Sequence, residues 1–69
     1  MSVYKIIELV GTSAKSWEDA AKTAVETASK SLEDLRVAEV TKQDVTVENG
    51  KVTSYRTRLN ISFKYREGA

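Results

Sequence analysis

The chain has 69 residues, with 11 Lys plus Arg against 10 Asp plus Glu, a formal net charge of +1, and no histidine, cysteine or proline. A chain of this length is a single domain, residues 1–69, that buries only about 60% of its unfolded surface, and without cysteine it has no disulfide, thiolate zinc site or iron–sulfur cluster to stiffen it. Without histidine the commonest general base is missing too, so any metal is a hard cation held through oxygen.

The near-neutral balance gives no sign of a nucleic-acid partner. No apolar run approaches the roughly 18–20 residues needed to span a bilayer. The start MSVYKIIELVG lacks the basic region, long apolar stretch and cleavage site of a signal peptide. A cytoplasmic location is expected, with neither nucleic acid nor membrane as partner.

Residues 3–10 (VYKIIELV), β-branched and closed by Gly11, read as a strand. Apolar residues occupy both parities, so both faces are expected to be partly covered, with Glu8 interrupting one. After the loop GTSAK, Ser16 with Asp19 three residues on is a capping-box variant, and Glu18 and Asp19 place negative charge in the first helical turn. Trp17, Ala20, Ala21, Ala24, Val25, Ala28, Leu32 and Leu35 recur at a 3.6-residue period and predict a helix over about 17–34. The middle of this stripe is small, which lets a sheet approach closely. Trp17 is read as a bulky core anchor near the helix start.

Residues 37–48 and 51–65 flank Asn49-Gly50, a favoured type I′ hairpin turn. With no bulge, Glu48 pairs with Lys51, Val40 lies opposite Leu59 and Ala38 opposite Ile61. Tyr55, Phe63 and Tyr65 share that face by parity. The other face then carries Val37, Glu39, Thr41, Gln43, Arg56, Arg58, Asn60 and Ser62, with Gln43 opposite Arg56 and Glu39 diagonal to Arg58. In this register Glu39 and Asp44 fall on opposite faces, and Lys42 is on the face away from Arg58.

The expected order is β-α-β-β, an α+β fold. A last strand of about 14 residues is roughly 45–48 Å long, whereas a helix of about 18 residues spans about 27 Å. One helix cannot cover such a hairpin. Val45, Val47 and Val52 leave an apolar patch near its far end, on the nominally polar face. The packing therefore predicts a homo-oligomer.

VYKIIELVGTS at 3–13, AEV at 38–40 and NGKVTSY at 49–55 occur in an order and at a chain length that resemble the dodecin family over essentially the whole chain. The resemblance implies a three-stranded antiparallel sheet wrapped around one helix, with twelve subunits forming a hollow dodecamer. It also implies flavins stacked between symmetry-related tryptophans, with a glutamine at the ring edge. Here the tryptophan position is Val37 and the glutamine position is Arg56. Without the aromatic platform an isoalloxazine has nothing to stack on, so flavin is not expected. The family's arginine-glycine pair in the second strand is also absent, and Gln43, Asp44 and Val45 stand in that neighbourhood. MSVYK, SWE at 16–18, RVA at 36–38, QD at 43–44 and SFK at 62–64 are similar to the calcium dodecin subgroup of actinobacteria, which keeps the fold and lacks the flavin tryptophan. Calcium is the cofactor this similarity implies.

The chain has no EF-hand loop, so a calcium site must assemble from separate strands or copies. Glu39, Asp44 and Glu8 are the candidate ligands, as alternatives rather than members of one site. A competing reading pairs Glu39 with Arg58 and leaves Asp44 at a solvated strand edge. Val37 and Arg56 are the ligand-pocket positions corresponding to flavin contacts, and Arg58 and Gln43 are candidates for the pocket electrostatics. Arg56 and Arg58 share a face and could hold a phosphate bidentately or serve as cross-strand partners. Ser13 has no histidine to activate it, Lys5 and Lys15 have no reason to be neutral, and Gly11 is isolated, so no enzyme is expected. The expected function is a non-catalytic, homo-oligomeric small-ligand-binding or storage protein, calcium-associated. Two alternatives stay open: a flavin-binding dodecin with a rearranged pocket, and a structural or partner-binding shell with no small ligand.

Overall fold

The computed structural model describes residues 2–65. Strand β1 (Tyr4–Ser13) leads to helix α1 (Trp17–Ala28), and strands β2 (Leu35–Glu48) and β3 (Lys51–Lys64) form the hairpin. The sheet order is β1-β3-β2, antiparallel throughout. The α+β subunit with its β-α-β-β order is as the sequence predicts.

β1 continues through Gly11 instead of ending there. Gly11 pairs with Thr57 and lies beneath α1. A Cβ at this position would fall on the Ala20 carbonyl oxygen and meet the Ala24 Cβ at 3.0 Å. The glycine marks the closest approach of helix and sheet, not a strand terminus. The buried side of α1 is correspondingly small: Ala20, Ala24 and Ala28.

α1 starts as predicted, with Ser16 Oγ accepting from the Asp19 N–H at 3.0 Å. It ends at Ala28, well short of the predicted residue 34. Ser29 Oγ donates to the Glu26 carbonyl at 2.8 Å, and the N–H groups of Lys30 and Ser31 reach back only three residues, to Thr27 and Ala28. Such tight, locally bonded turns compete with helix. Asp34, at φ 57, then turns the chain into β2. Leu32 and Leu35 pack against the core from outside the helix, which is why their spacing extended the apolar period.

The core is Ala24, Ala28, Leu59 and Ile61, with Ile7, Leu9, Ala21, Val25, Leu32 and Leu35 packed around it. On β1, and on β3 from Ser54 onward, the odd-numbered residues therefore face the helix, and the even-numbered ones form an outer face. α1 lies over β1 and β3 and barely touches β2. Its 12 residues span about 18 Å on a subunit 50 Å long. Val40, opposite the buried Leu59, is consequently 48% exposed.

The hairpin turns at Asn49 and Gly50, with φ 52 and φ 76, as a type I′ turn requires. Glu48–Lys51, Val40–Leu59 and Ala38–Ile61 pair as expected. The stretch between does not, because the register shifts between Leu35 and Val37, between Val40 and Lys42, and between Thr46 and Val47. The middle shift inserts Thr41 as an extra residue, and its Oγ1 donates to the Arg58 carbonyl at 3.2 Å. A one-residue insertion turns each following side chain to the other face. Gln43 therefore lies opposite Thr57, not Arg56, and Asp44 takes the place opposite Arg56. Lys42 lies opposite Arg58, on the same face. Glu39 and Asp44 share the outer face as well, correcting the bulge-free register. Val45 leaves the polar face to sit opposite Tyr55 on the helix side, and Val47, two residues on and opposite Val52, shares that side, so the three valines leave no patch on the polar face.

Candidate functional site

The outer face is built of cross-strand rows in the order β1, β3, β2: Ile6, Ser62, Val37; then Glu8, Asn60, Glu39; then Val10, Arg58, Lys42; then Thr12, Arg56, Asp44. Ile6, Val37, Glu39, Asn60 and Ser62 line a cleft of ≈ 410 Å³. Two apolar walls, Ile6 and Val37, each 62% exposed, meet a carboxylate, an amide and a hydroxyl there. Ser62 Oγ donates to the Val37 carbonyl at 3.3 Å.

The Glu8–Asn60–Glu39 row offers oxygen donors from all three strands. Strand spacing sets the Cα atoms of the two glutamates about 10 Å apart, with the Asn60 amide between them. Among the described residues no three carboxylates, histidines or cysteines gather where they could hold a metal. A cation on this row would thus draw its remaining ligands from water or from other copies of the chain.

Asp44 is differently placed. Arg56 donates from Nε to Asp44 Oδ1 at 2.7 Å and from Nη2 to Oδ2 at 2.8 Å. The Arg56 hydrogen bonds hold the Asp44 carboxyl below its ordinary pKa, aided by the charges of Arg56 and Arg58, while partial desolvation opposes them. Both oxygens of Asp44 accept from Arg56, so a cation at Asp44 would have to share the carboxylate with a guanidinium. The Asp44 carbonyl also accepts from Trp17 Nε1 at 2.9 Å, and the Trp17 ring meets Tyr55 edge-on at 5.3 Å. Trp17 thus anchors the helix start to the hairpin, but from a half-buried position outside the core cluster instead of within it as the apolar stripe predicts.

Val37 and Arg56 share the outer face but do not line one cleft within a chain. Val37 lies opposite Ser62, six residues along β3 from Arg56, a separation of about 20 Å at strand rise. Gln43 points to the helix side, away from both. Glu39 pairs in register with Asn60, and no salt bridge joins it to Arg58 among the described residues. Ile6, Asn60 and Lys42 were not singled out by sequence as site residues. The first two become visible once β1 is paired with β3 by burying Ile7 and Leu9. Lys42 depends on the Thr41 bulge.

A family model described as Dodecin matches residues 3–66. The chain belongs to the dodecin family. Among curated dodecins, it is 50% identical over 66 residues to the calcium dodecin of Mycobacterium tuberculosis, covering 96% of this chain and 93% of that one. It is 37% identical to the Thermus thermophilus dodecin, covering 94% of each. The crystal structure of the M. tuberculosis protein, described as a calcium-chelating antigen with a novel calcium-binding site, superposes with a TM-score of 0.84 at 49% identity, over 99% of this chain and 97% of that one. Dodecin from Streptomyces coelicolor superposes with a TM-score of 0.92 at 33% identity, over 97% and 96%. These likenesses extend over the whole β-α-β-β unit.

Proposed function

We propose that the protein is a non-catalytic cytoplasmic shell, a homododecamer that binds or stores a small ligand and is associated with calcium instead of flavin. The observation that carries this reading is the make-up of the outer face. Val37 supplies no ring on which a flavin could stack, and beside it the Glu8–Asn60–Glu39 row supplies the hard oxygen donors that calcium takes. Half-identity to a calcium dodecin over nearly the full length supports the same assignment. The exposed inward side of β2 and the short helix on a long hairpin support assembly with further copies. Glu39 and Glu8 are the ligand candidates this geometry favours over Asp44, whose oxygens are engaged by Arg56.

Calorimetric titration of calcium into the metal-free assembly tests the reading. Saturable binding, weakened by E39Q or E8Q and retained by D44N, supports it. Absence of binding to a folded assembly sinks it, and quenching of riboflavin fluorescence at micromolar protein would favour a flavin-binding dodecin. Static light scattering should return about twelve times the 7.7 kDa subunit mass.

A further inference from the structure

We propose that Lys42 and Arg58 form a binding site for a phosphate group on the outer sheet face. The Thr41 bulge sets these two cations directly opposite one another on neighbouring strands. Like charges in that position repel. Arg56, the next cation along β3, is matched by Asp44. Glu8 and Glu39 flank Asn60 in the adjacent row, yet among the described residues neither forms a salt bridge with Lys42 or Arg58. The two cations of this row therefore stand side by side with no direct ion-pair partner among the described residues, Arg58 feeling only the charge of Asp44 in the next row.

The ligand class follows from the donors. Opposed residues of an antiparallel pair have Cα atoms about 4.5–5.5 Å apart, close enough for both side chains to reach one tetrahedral oxyanion. The guanidinium offers paired N–H donors and the ammonium a compact charge, which together match a phosphate dianion. Val10 in the same row and the two glutamates in the next one break up the positive surface. That disfavours a polyanion laid along the strands and favours a single phosphate group, free or terminal on a small molecule. The site is separate from the Val37 cleft and does not rest on the calcium reading.

Titration of the assembled protein with inorganic pyrophosphate at low ionic strength tests the proposal. Saturable heat that weakens about tenfold or more in K42Q and in R58Q supports it, the loss expected for a charge-assisted contact. D44N, which releases Arg56 as a further cation, should bind pyrophosphate more tightly. In phosphate-free buffer K42Q should raise the thermal midpoint, because the repulsion is gone, and pyrophosphate should no longer raise it further. ADP in place of pyrophosphate separates the sources: equal affinity assigns binding to the phosphates alone, and tighter binding assigns a contact to the organic portion. A flat titration of the folded wild-type assembly overturns the proposal. So does undiminished binding in the folded K42Q and R58Q variants, or weaker binding in D44N.

Discussion

Arg56 grips both carboxylate oxygens of Asp44 across the β2–β3 hairpin, at 2.7 and 2.8 Å, because the Thr41 bulge brings the two residues into direct opposition. The pair ties stability to pH. Asp44 titrates below its ordinary value of 3.8 in the fold, so the unfolded chain takes up its proton first as pH falls. The contribution is present in full above the unfolded pKa and is lost as pH drops through the folded one. Both side chains are about half exposed, so solvent screens the pair and the effect is small. Thermal midpoints of wild type and D44N should differ above about pH 4 and converge in stronger acid. A difference independent of pH would assign the stabilisation elsewhere.

Gly11→Ala tests the close approach of helix and sheet. The added methyl would strike the Ala20 carbonyl, which is backbone and cannot rotate away. α1 must lift from β1, at a cost of about 1–3 kcal/mol or more. Urea unfolding should show the loss, and light scattering should show whether the assembly tolerates the lifted helix. An unchanged unfolding midpoint would mean that the helix does not sit this close.

Features encoded by near neighbours were legible in the sequence. Ser16 and Asp19 cap the helix across three residues, the alanines repeat on one face, and Asn49-Gly50 supplies the positive φ values of its own turn. Features that depend on distant partners were not. Gly11 looks like a strand end until α1 is seen to cross it. Leu32 and Leu35 keep helical spacing although the backbone has left the helix, because the core rewards their position and not their conformation. The Thr41 bulge carries no glycine or turn signal, and its side chain is satisfied by the Arg58 carbonyl on the partner strand. That one residue decides which charges face each other. Without it Gln43 faces Arg56 and Lys42 is turned away from Arg58. With it Asp44 is neutralised and a pair of cations is left.

Thr57 is fully buried, and its hydroxyl donates to the Trp17 carbonyl at 2.8 Å. Thr57→Val keeps the shape and deletes the donor. The cost should be about 1 kcal/mol, the net worth of a hydrogen bond, measured by urea unfolding. Thr57→Ser should recover the hydrogen bond and give up only packing. Equal stability of wild type and T57V would show that the hydroxyl does not bind the helix start.

Trp17 joins three elements at once: its carbonyl accepts from Thr57 of β3, its indole N–H donates to the Asp44 carbonyl of β2, and its ring packs on Tyr55. Trp17→Phe removes the indole hydrogen bond together with part of the ring and should cost about 1 kcal/mol or somewhat more. Trp17→Ala also removes the ring from a half-buried site and should cost about 2 kcal/mol or more. The indole holds the backbone of the residue whose side chain Arg56 holds, so the two contacts share Asp44. Residues with a shared partner couple. The W17F and D44N losses should therefore be non-additive in a double-mutant cycle followed by circular dichroism, whereas W17F and K51A, at the hairpin turn, should add. Additivity of W17F with D44N would separate the helix anchor from the charged pair and leave the outer face independent of α1.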